Sequence, residues 1–235
     1  MTNPTPSVLE QKRVLIACEM SGIIREAFRK KGHEAWSVDL LPTEQPSRYH
    51  FQGDIYDFLE EPCFRETEWD LMIAHPVCTF MCRNRARQNK EEGIKEIDTS
   101  LFMNLLNAKI PRICIENPVP SKAANLPKYT QIIQPYYFGH DHSKKTCLWL
   151  KNLPELESTN IIPITYVTTK NGHRYTKGWY QTPRTSIARS RTFQGIADAM
   201  ANQWGDLPPL ELDKEVKQQK IDENIDSLTV GGERY

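Results

Sequence analysis

Two residues that could act together in covalent catalysis follow neighbouring strand-like segments of the chain. Cys78 comes after an apolar run at residues 70–74, and Glu116 ends a second run that starts at Arg112. The carboxyl ends of parallel strands meet at one edge of a sheet, so this spacing predicts that the thiol and the carboxyl group lie close together. A thiol paired with a carboxyl group is a plausible site for nucleophilic catalysis.

The segments around these residues predict an α/β fold. Apolar runs indicate strands over residues 13–18, 34–39, 70–74, 112–115 and 146–150. Apolar residues at helical spacing indicate helices over residues 23–30, 94–107 and 191–204. Continuous apolar runs are typical of strands that are buried on both faces. Because strands and helices alternate along the chain, we expect a parallel sheet with helices on both faces.

A nucleotide-like ligand is expected at the same sheet edge. Between the first strand and the first helix lie Cys18, Glu19, Ser21 and Gly22. Open α/β sheets bind such ligands on the backbone N–H groups of this turn. Asp39 ends the second strand and suits ribose hydroxyls, and Asp54 offers a further contact, although either carboxylate could instead cap a neighbouring element. The turn is not a GxGxxG loop and the chain has no GxxxxGK[ST] loop, which argues against a nicotinamide enzyme and a nucleoside triphosphatase.

Charge is balanced over the whole chain but not along it. The 235 residues include 30 Lys or Arg and 30 Asp or Glu, so nucleic-acid affinity must come from a local patch. Residues 158–191 contain basic side chains, Arg174 and Arg184 among them, and lack acidic ones. Tyrosines and Trp179 are interleaved, which suits phosphate contacts and base stacking. Arg83 and Arg85, which follow Cys78, are further candidates for contact with a nucleic-acid strand.

Other features bound the class of protein. The six cysteines form no paired framework and no export signal precedes them, so we expect free thiols. No apolar run is long enough to cross a bilayer, which predicts a cytoplasmic protein with no membrane partner. His75, Cys78 and Cys82 have a spacing that could bind zinc, but no second ligand pair accompanies them, and no metal site is predicted.

The domain organisation expected from composition is a single α/β unit with appendages. We predict a flexible arm over residues 1–12, a folded domain over 13–205 with a short basic insert at 151–190, and an acidic polar tail over 206–235.

Several motifs together resemble the cytosine-C5 DNA methyltransferases, in particular the compact versions encoded by bacteriophages. Residues 76–78 match the family's Pro-Cys loop, and Glu116-Asn117 match its Glu-Asn-Val-type motif. Residues 144–149 resemble its Gln-x-Arg-x-Arg strand, with Lys144 nearest the central arginine, and residues 190–195 resemble its last cofactor-binding motif. The resemblance spans residues 13–205 in the family's order.

The resemblance implies a Rossmann-like methyltransferase sheet, S-adenosylmethionine as cofactor, and transfer of a methyl group to C5 of cytosine in DNA, single- or double-stranded, in a bacterial or phage-infected cell. Cys78 would be the nucleophile, and Glu116 and Lys144 would assist it. Pro76 and Gly195 would contact the cofactor, and Asn117 would contact the substrate. A base in a duplex would first be flipped out of the stack.

Two alternatives remain open from the sequence. The same fold could act on RNA or on a free pyrimidine nucleotide, because the insert is short and the net charge is zero. The chain could also be a catalytically weak or inactive binding protein. Val77 stands where the family has proline, and the glycine-rich first motif is reduced to Ser21-Gly22.

Overall fold

The computed structural model describes residues 10–210. Residues 1–9 of the predicted arm and residues 211–235 of the predicted tail lie outside the described range. Within that range, seven strands form one sheet and two more form a separate hairpin. No helix of this part of the chain is long and apolar enough to cross a membrane.

Strands and helices alternate through the first half of the chain as predicted, whereas residues 112–176 form five strands with no α-helix between them. The strands are β1 (Arg13–Ala17), β2 (Glu34–Asp39), β3 (His50–Gln52), β4 (Leu71–Ala74), β5 (Arg112–Pro118), β6 (Gln131–Ile133), β7 (Thr146–Lys151), β8 (Tyr166–Thr168) and β9 (Arg174–Thr176). The helices are α1 (Ile23–Lys30), α2 (Ile55–Glu60), α3 (Pro62–Arg65), α4 (Ala86–Glu91), α5 (Ser100–Leu106), α6 (Lys177–Gln181), α7 (Ser186–Ser190) and α8 (Gln194–Gly205).

The large sheet has the strand order β3-β2-β1-β4-β5-β7-β6. Strands β1 to β5 pair in parallel, and β7 pairs antiparallel to both β5 and β6, so the sheet is mixed where a parallel one was predicted. From β1 the chain builds outward through β2 and β3, then returns to start β4 on the other side of β1. This reversal places a topological switch point between β1 and β4, where open sheets bind their ligands.

Both faces of the sheet are covered, which confirms the predicted α/β fold with helices on both sides. One face packs Val14 and Ile16 of β1 against buried residues of α1 and α8. The other packs Leu15 and Ala17 against residues of α2 and α5. Alternate residues of β1 therefore enter two different cores. This explains why the strand is a continuous apolar run rather than an alternating one.

Three predicted boundaries are corrected by the structure. The helix expected over 94–107 is only α5, because Gly93 has a positive φ of 72° and the Asp98 side chain accepts a hydrogen bond from Ser100 N at the true start. The helix expected from Arg191 begins at Gln194, since Phe193 is extended. Strand β5 runs on to Pro118 because it pairs with β7 beyond the end of β4.

The residues next to the predicted arm and tail belong to the folded body. Lys12 is buried, and its carbonyl accepts a hydrogen bond from Glu34 N. Asp206 forms an ion pair with Lys31 at 3.6 Å, and Arg112 donates to the carbonyl of Pro208. The folded body therefore begins by Lys12 and continues at least to Pro208, slightly beyond the predicted 13–205.

A fully buried arginine, Arg25, fixes the loop after β2 to helix α1. Its guanidinium donates to Ser37 Oγ at 2.7 Å and to the carbonyl of Gln45 at 2.9 Å, and its Nε pairs with Glu26 at 2.8 Å. Gly22 leaves room for this side chain, because a Cβ there would lie 2.6 Å from Arg25 Nη2. Sequence periodicity alone placed Arg25 outside the apolar stripe of the helix.

Replacing Arg25 with methionine is expected to lower the free energy of unfolding by about 3 kcal/mol, because buried acceptors lose their donors. The control is Lys30→Met, which removes a charge from an exposed position of the same helix. Chemical denaturation of both variants measures the effect. An Arg25→Met protein as stable as Lys30→Met would contradict the structural role of the buried guanidinium.

Candidate active site

The predicted site residues are aligned by strand register along one edge of the sheet. Ala17 pairs with Ala74 and with Val38, and Ala74 pairs with Ile115. The next residue of each strand therefore lies at the same level, in the order Asp39, Cys18, His75 and Glu116. This edge is the carboxyl end of the parallel strands, at the switch point between β1 and β4.

The loop that carries Cys78 is held in place by backbone contacts. Met81 N and Cys82 N both donate to the carbonyl of Cys78 at 3.1 Å, which closes a turn behind the thiol. The buried amide of Asn117 donates to the carbonyl of Pro76 at 3.2 Å. Further along, residues 81–83 pair with residues 119–121 after β5. Cys78 is thus fixed relative to Glu116 from both sides, and Asn117 contributes by positioning the loop.

Glu116 is the hydrogen-bonded centre of the edge. Its Oε2 lies 2.9 Å from Nδ1 of His75, and both side chains are more than four-fifths buried. Burial alone would raise the pKa of this carboxyl group, but hydrogen bonds from His75 and Thr146 and the charge of Lys144 outweigh it. The pKa of Glu116 is therefore lowered, and the group is held as a carboxylate at neutral pH.

Cys78 is brought into the electrostatic range of both predicted partners. Burial raises the pKa of its thiol, and the neighbouring Cys82 and Glu116 raise it further, while Lys144 opposes them. Lys144 lies just before β7, and its Nζ donates to the carbonyl of Arg189 at 2.9 Å. The raised pKa keeps the Cys78 thiol protonated at neutral pH.

The turn after β1 is built around a buried carboxylate. Glu19 Oε1 accepts hydrogen bonds from Ser21 Oγ at 2.8 Å and from Ile24 N at 3.0 Å, so Glu19 caps helix α1. Its other oxygen, Oε2, is buried and has no hydrogen-bond partner within the described residues. Cys18 and Gly22 have positive φ values of 59° and 73°, which turn the chain sharply at the sheet edge.

The two carboxylates predicted to contact the cofactor, Asp39 and Asp54, also hold the local backbone. Asp39 accepts a hydrogen bond from Leu41 N at 2.9 Å, and Asp54 caps α2 by accepting one from Tyr56 N at 2.8 Å. Burial and the charges of these two carboxylates raise the pKa of Cys18 to about 12. Asp39, Asp54 and Cys18 therefore share one electrostatic environment at the switch point.

Pro76 is buried beside the switch point, but Gly195 has a packing role. A Cβ at Gly195 would lie 2.1 Å from the carbonyl oxygen of Phe138, and its backbone N–H donates to Nε2 of His140 at 2.9 Å. The close approach of α8 to the Phe138 loop explains the glycine. Its predicted contact with a cofactor stays a prediction.

The predicted strand-contacting arginines differ in their surroundings. Arg85 is engaged with Asn89 and Glu92, the latter at 2.7 Å, which directs it along its own helix. Arg83 and Arg184 are exposed. Arg174 lies on the β8–β9 hairpin with its guanidinium carbon 3.9 Å from the centre of the Tyr166 ring.

Sequence reasoning missed the role of His75. His75 directly follows β4, at the same level as Glu116 on the neighbouring strand. That position in the sequence is the signal that could have identified it. Among the residues that the structure describes, no group of three or more His, Cys, Asp or Glu could hold a metal ion. All six cysteines are free thiols, as predicted, and Cys114 and Cys147 are buried in the core.

Replacing His75 with alanine is expected to lower the free energy of unfolding by about 1–3 kcal/mol at neutral pH, because the buried Glu116 loses a donor. A carboxyl group with a lowered pKa stabilises the fold above its ordinary pKa, and this contribution disappears as the pH falls through the lowered value. The deficit of the variant should therefore shrink below about pH 4. Denaturant titrations at several pH values measure it.

The matched control is His173→Ala in the exposed loop between β8 and β9, which should leave stability unchanged across the pH range. A deficit in His75→Ala that does not vary with pH would contradict the proposed support of the Glu116 carboxylate.

Of the comparisons with known proteins, the one with solved structures gives matches to this chain. No family model and no curated protein matches the chain. Among solved structures, a mutant of DNMT2 from Spodoptera frugiperda is 16% identical, with a TM-score of 0.41, over 65% of this chain and 54% of that one. The Dnmt2 methyltransferase of S. pombe is 20% identical, with a TM-score of 0.39, over 62% and 51%. The chain matches about half the length of each structure.

Proposed function

We propose that the protein transfers a methyl group from S-adenosylmethionine to C5 of cytosine in DNA through a covalent adduct on Cys78. The observation that carries the proposal is the placement of the Cys78 loop beside Glu116 at the sheet edge, where Asn117, the residue after Glu116, donates to the carbonyl of Pro76. A loop cysteine, a carboxylate and a cation are the groups that a covalent attack on a pyrimidine ring requires. They stand beside a switch point that suits a nucleotide-like cofactor.

The residues of the switch point fit S-adenosylmethionine. The buried Glu19 Oε2 has no partner within the described residues and suits a cationic donor such as the ammonium group of the cofactor. Asp39, at the end of β2, would accept hydrogen bonds from the ribose hydroxyls. When bound, S-adenosylmethionine supplies an activated methyl group.

The chemistry of the other residues follows from their placement. The thiolate of Cys78 adds to C6 of the cytosine as N3 takes up a proton, and the Glu116 carboxylate accepts hydrogen bonds from N3–H and from the exocyclic amine, so the ring accepts the added charge. This places electron density on C5, the atom to be methylated. Loss of the C5 proton then expels Cys78 and restores the ring. Val77, which is 66% exposed next to Cys78, is apolar surface available to an extruded base.

Methyl transfer from isotopically labelled S-adenosylmethionine tests the proposal. The protein is offered cytosine-containing DNA, RNA of the same sequence, and free dCMP in parallel. Label in DNA, located at C5 by nucleoside analysis, is the expected result. Label found only in RNA or only in dCMP would change the assigned substrate and leave the assigned reaction unchanged. No label in any of them, with no thermal stabilisation by S-adenosylmethionine, would overturn the proposal in favour of a binding protein.

A further inference from the structure

A cavity of about 250 Å³ lies between the basic insert and the start of helix α8, and it is also lined by Ile23, the first residue of helix α1. Its walls include Lys144, Trp179, Arg189 and Phe193. None of the described residues that line it is acidic, and three are Lys or Arg. Arg191, the third, is already paired with Glu44. The net charge of the wall is therefore positive.

Two buried polar atoms of this wall have no hydrogen-bond partner within the described residues. They are Nε of Arg189 and Nδ1 of His142, and His142 is only 5% exposed. An arginine Nε always carries a hydrogen, so it needs an acceptor when it is buried. Lys144 Nζ has one partner, the carbonyl of Arg189, and has donors to spare. The wall therefore has more hydrogen-bond donors than acceptors. The oxygens of a phosphate group would supply the missing acceptors.

The remaining walls are aromatic. The guanidinium carbon of Arg189 lies 4.2 Å from the centre of the Trp179 ring, and this stacking holds the cation at the cavity. The ring of Phe193 meets that of His142 edge to face, with centroids 4.9 Å apart. Cations beside flat aromatic surface suit a ligand that joins a phosphate to a planar base.

We propose that this cavity binds one nucleotide of a DNA strand, with its phosphate on Arg189 and Lys144 and its base or sugar against Trp179. This proposal rests on the proposed function, because the bound nucleotide is part of the DNA substrate. It adds that Arg189 and Trp179 anchor that strand. Lys144 then belongs both to the cavity and to the group around Cys78, so the bound nucleotide lies next to the target cytosine.

Anisotropy of a labelled single-stranded oligodeoxynucleotide tests this assignment in the full-length Cys78→Ser protein, so that binding is measured apart from reaction. Arg189→Met keeps the aliphatic stem but removes the guanidinium, and we expect binding to weaken about 10- to 100-fold. Trp179→Leu removes the ring, and we expect a loss of about 5- to 100-fold. The matched control is Arg65→Met, an exposed arginine of helix α3 that has no place in the predicted binding surface, with an expected loss of about threefold or less.

Equal losses in Arg189→Met and Arg65→Met, with unchanged thermal unfolding, would overturn the assignment in favour of diffuse electrostatic binding. Displacement of the strand by free dCMP or inorganic phosphate at equal phosphate concentration would overturn the choice of a strand over a free nucleotide. A wild-type protein that binds DNA through Arg189 but never methylates it would refute the proposed function and leave this site standing.

Discussion

Replacing Cys78 with serine is expected to lower methyl transfer by about 10³-fold or more, because the hydroxyl cannot replace the thiolate as a nucleophile. Binding of DNA and of S-adenosylmethionine should be retained, since the backbone of residue 78 closes the turn and the side chain does not. Labelled methyl transfer under single-turnover conditions measures the loss. The control is Cys63→Ser, which alters an exposed thiol on α3 and should leave the rate unchanged.

The pH dependence of the same rate follows from the environment of Cys78. Because burial and the neighbouring Cys82 and Glu116 raise the pKa of the thiol, little thiolate exists at neutral pH. The rate should therefore rise about tenfold per pH unit until the raised pKa is reached. Lys144 lowers the pKa of Cys78, so Lys144→Met should move this rise to higher pH. A rate that is independent of pH between about 6 and 9 would contradict a thiolate nucleophile.

Replacing Glu116 with glutamine is expected to lower methyl transfer by about 10²- to 10⁴-fold, because the ring loses the carboxylate that holds the proton taken up at N3. The amide oxygen of glutamine still accepts a hydrogen bond from His75, so the fold should be kept. The loss should appear in kcat, since the group acts as the adduct forms. Steady-state kinetics with labelled S-adenosylmethionine measures it.

The control for this variant is Glu96→Gln, an exposed carboxylate in the loop before α5. It removes the same charge from the protein without touching the sheet edge, and its kcat should match the wild type. A Glu116→Gln protein with a raised KM and an unchanged kcat would show that the carboxylate binds substrate without assisting the reaction.

The parts of the fold that sequence predicts well are those whose local pattern and tertiary role agree. Strand β1 is a continuous apolar run because its two faces enter two cores, and helix α1 is delimited by Gly22 and Gly32. The grouping of Cys78 with Glu116 also follows from sequence, since parallel strands end at a common edge. The order of residues along the chain and the direction of the strands are sufficient to predict these elements and the proximity of Cys78 to Glu116.

Other features depend on contacts that no local pattern encodes. Strand β3 has two half-buried residues and one exposed residue, and it exists because it pairs with β2. Arg25 is polar in sequence yet fully buried, because its acceptors come from β2 and the loop that follows. The partner of Glu116 is His75, which lies 41 positions away and is reached through the register of β4 and β5. Such pairs become visible only when the strands are placed side by side.

Trapping the covalent step tests the central claim most directly. The protein is incubated with S-adenosylmethionine and DNA that contains 5-fluorocytosine, whose fluorine at C5 blocks the elimination that would release the enzyme. Mass spectrometry of the digested complex then locates the modified residue. We predict a stable adduct on Cys78 that is absent in Cys78→Ser and undiminished in Cys63→Ser. An adduct on another cysteine, or none while DNA and S-adenosylmethionine both bind, would contradict the account.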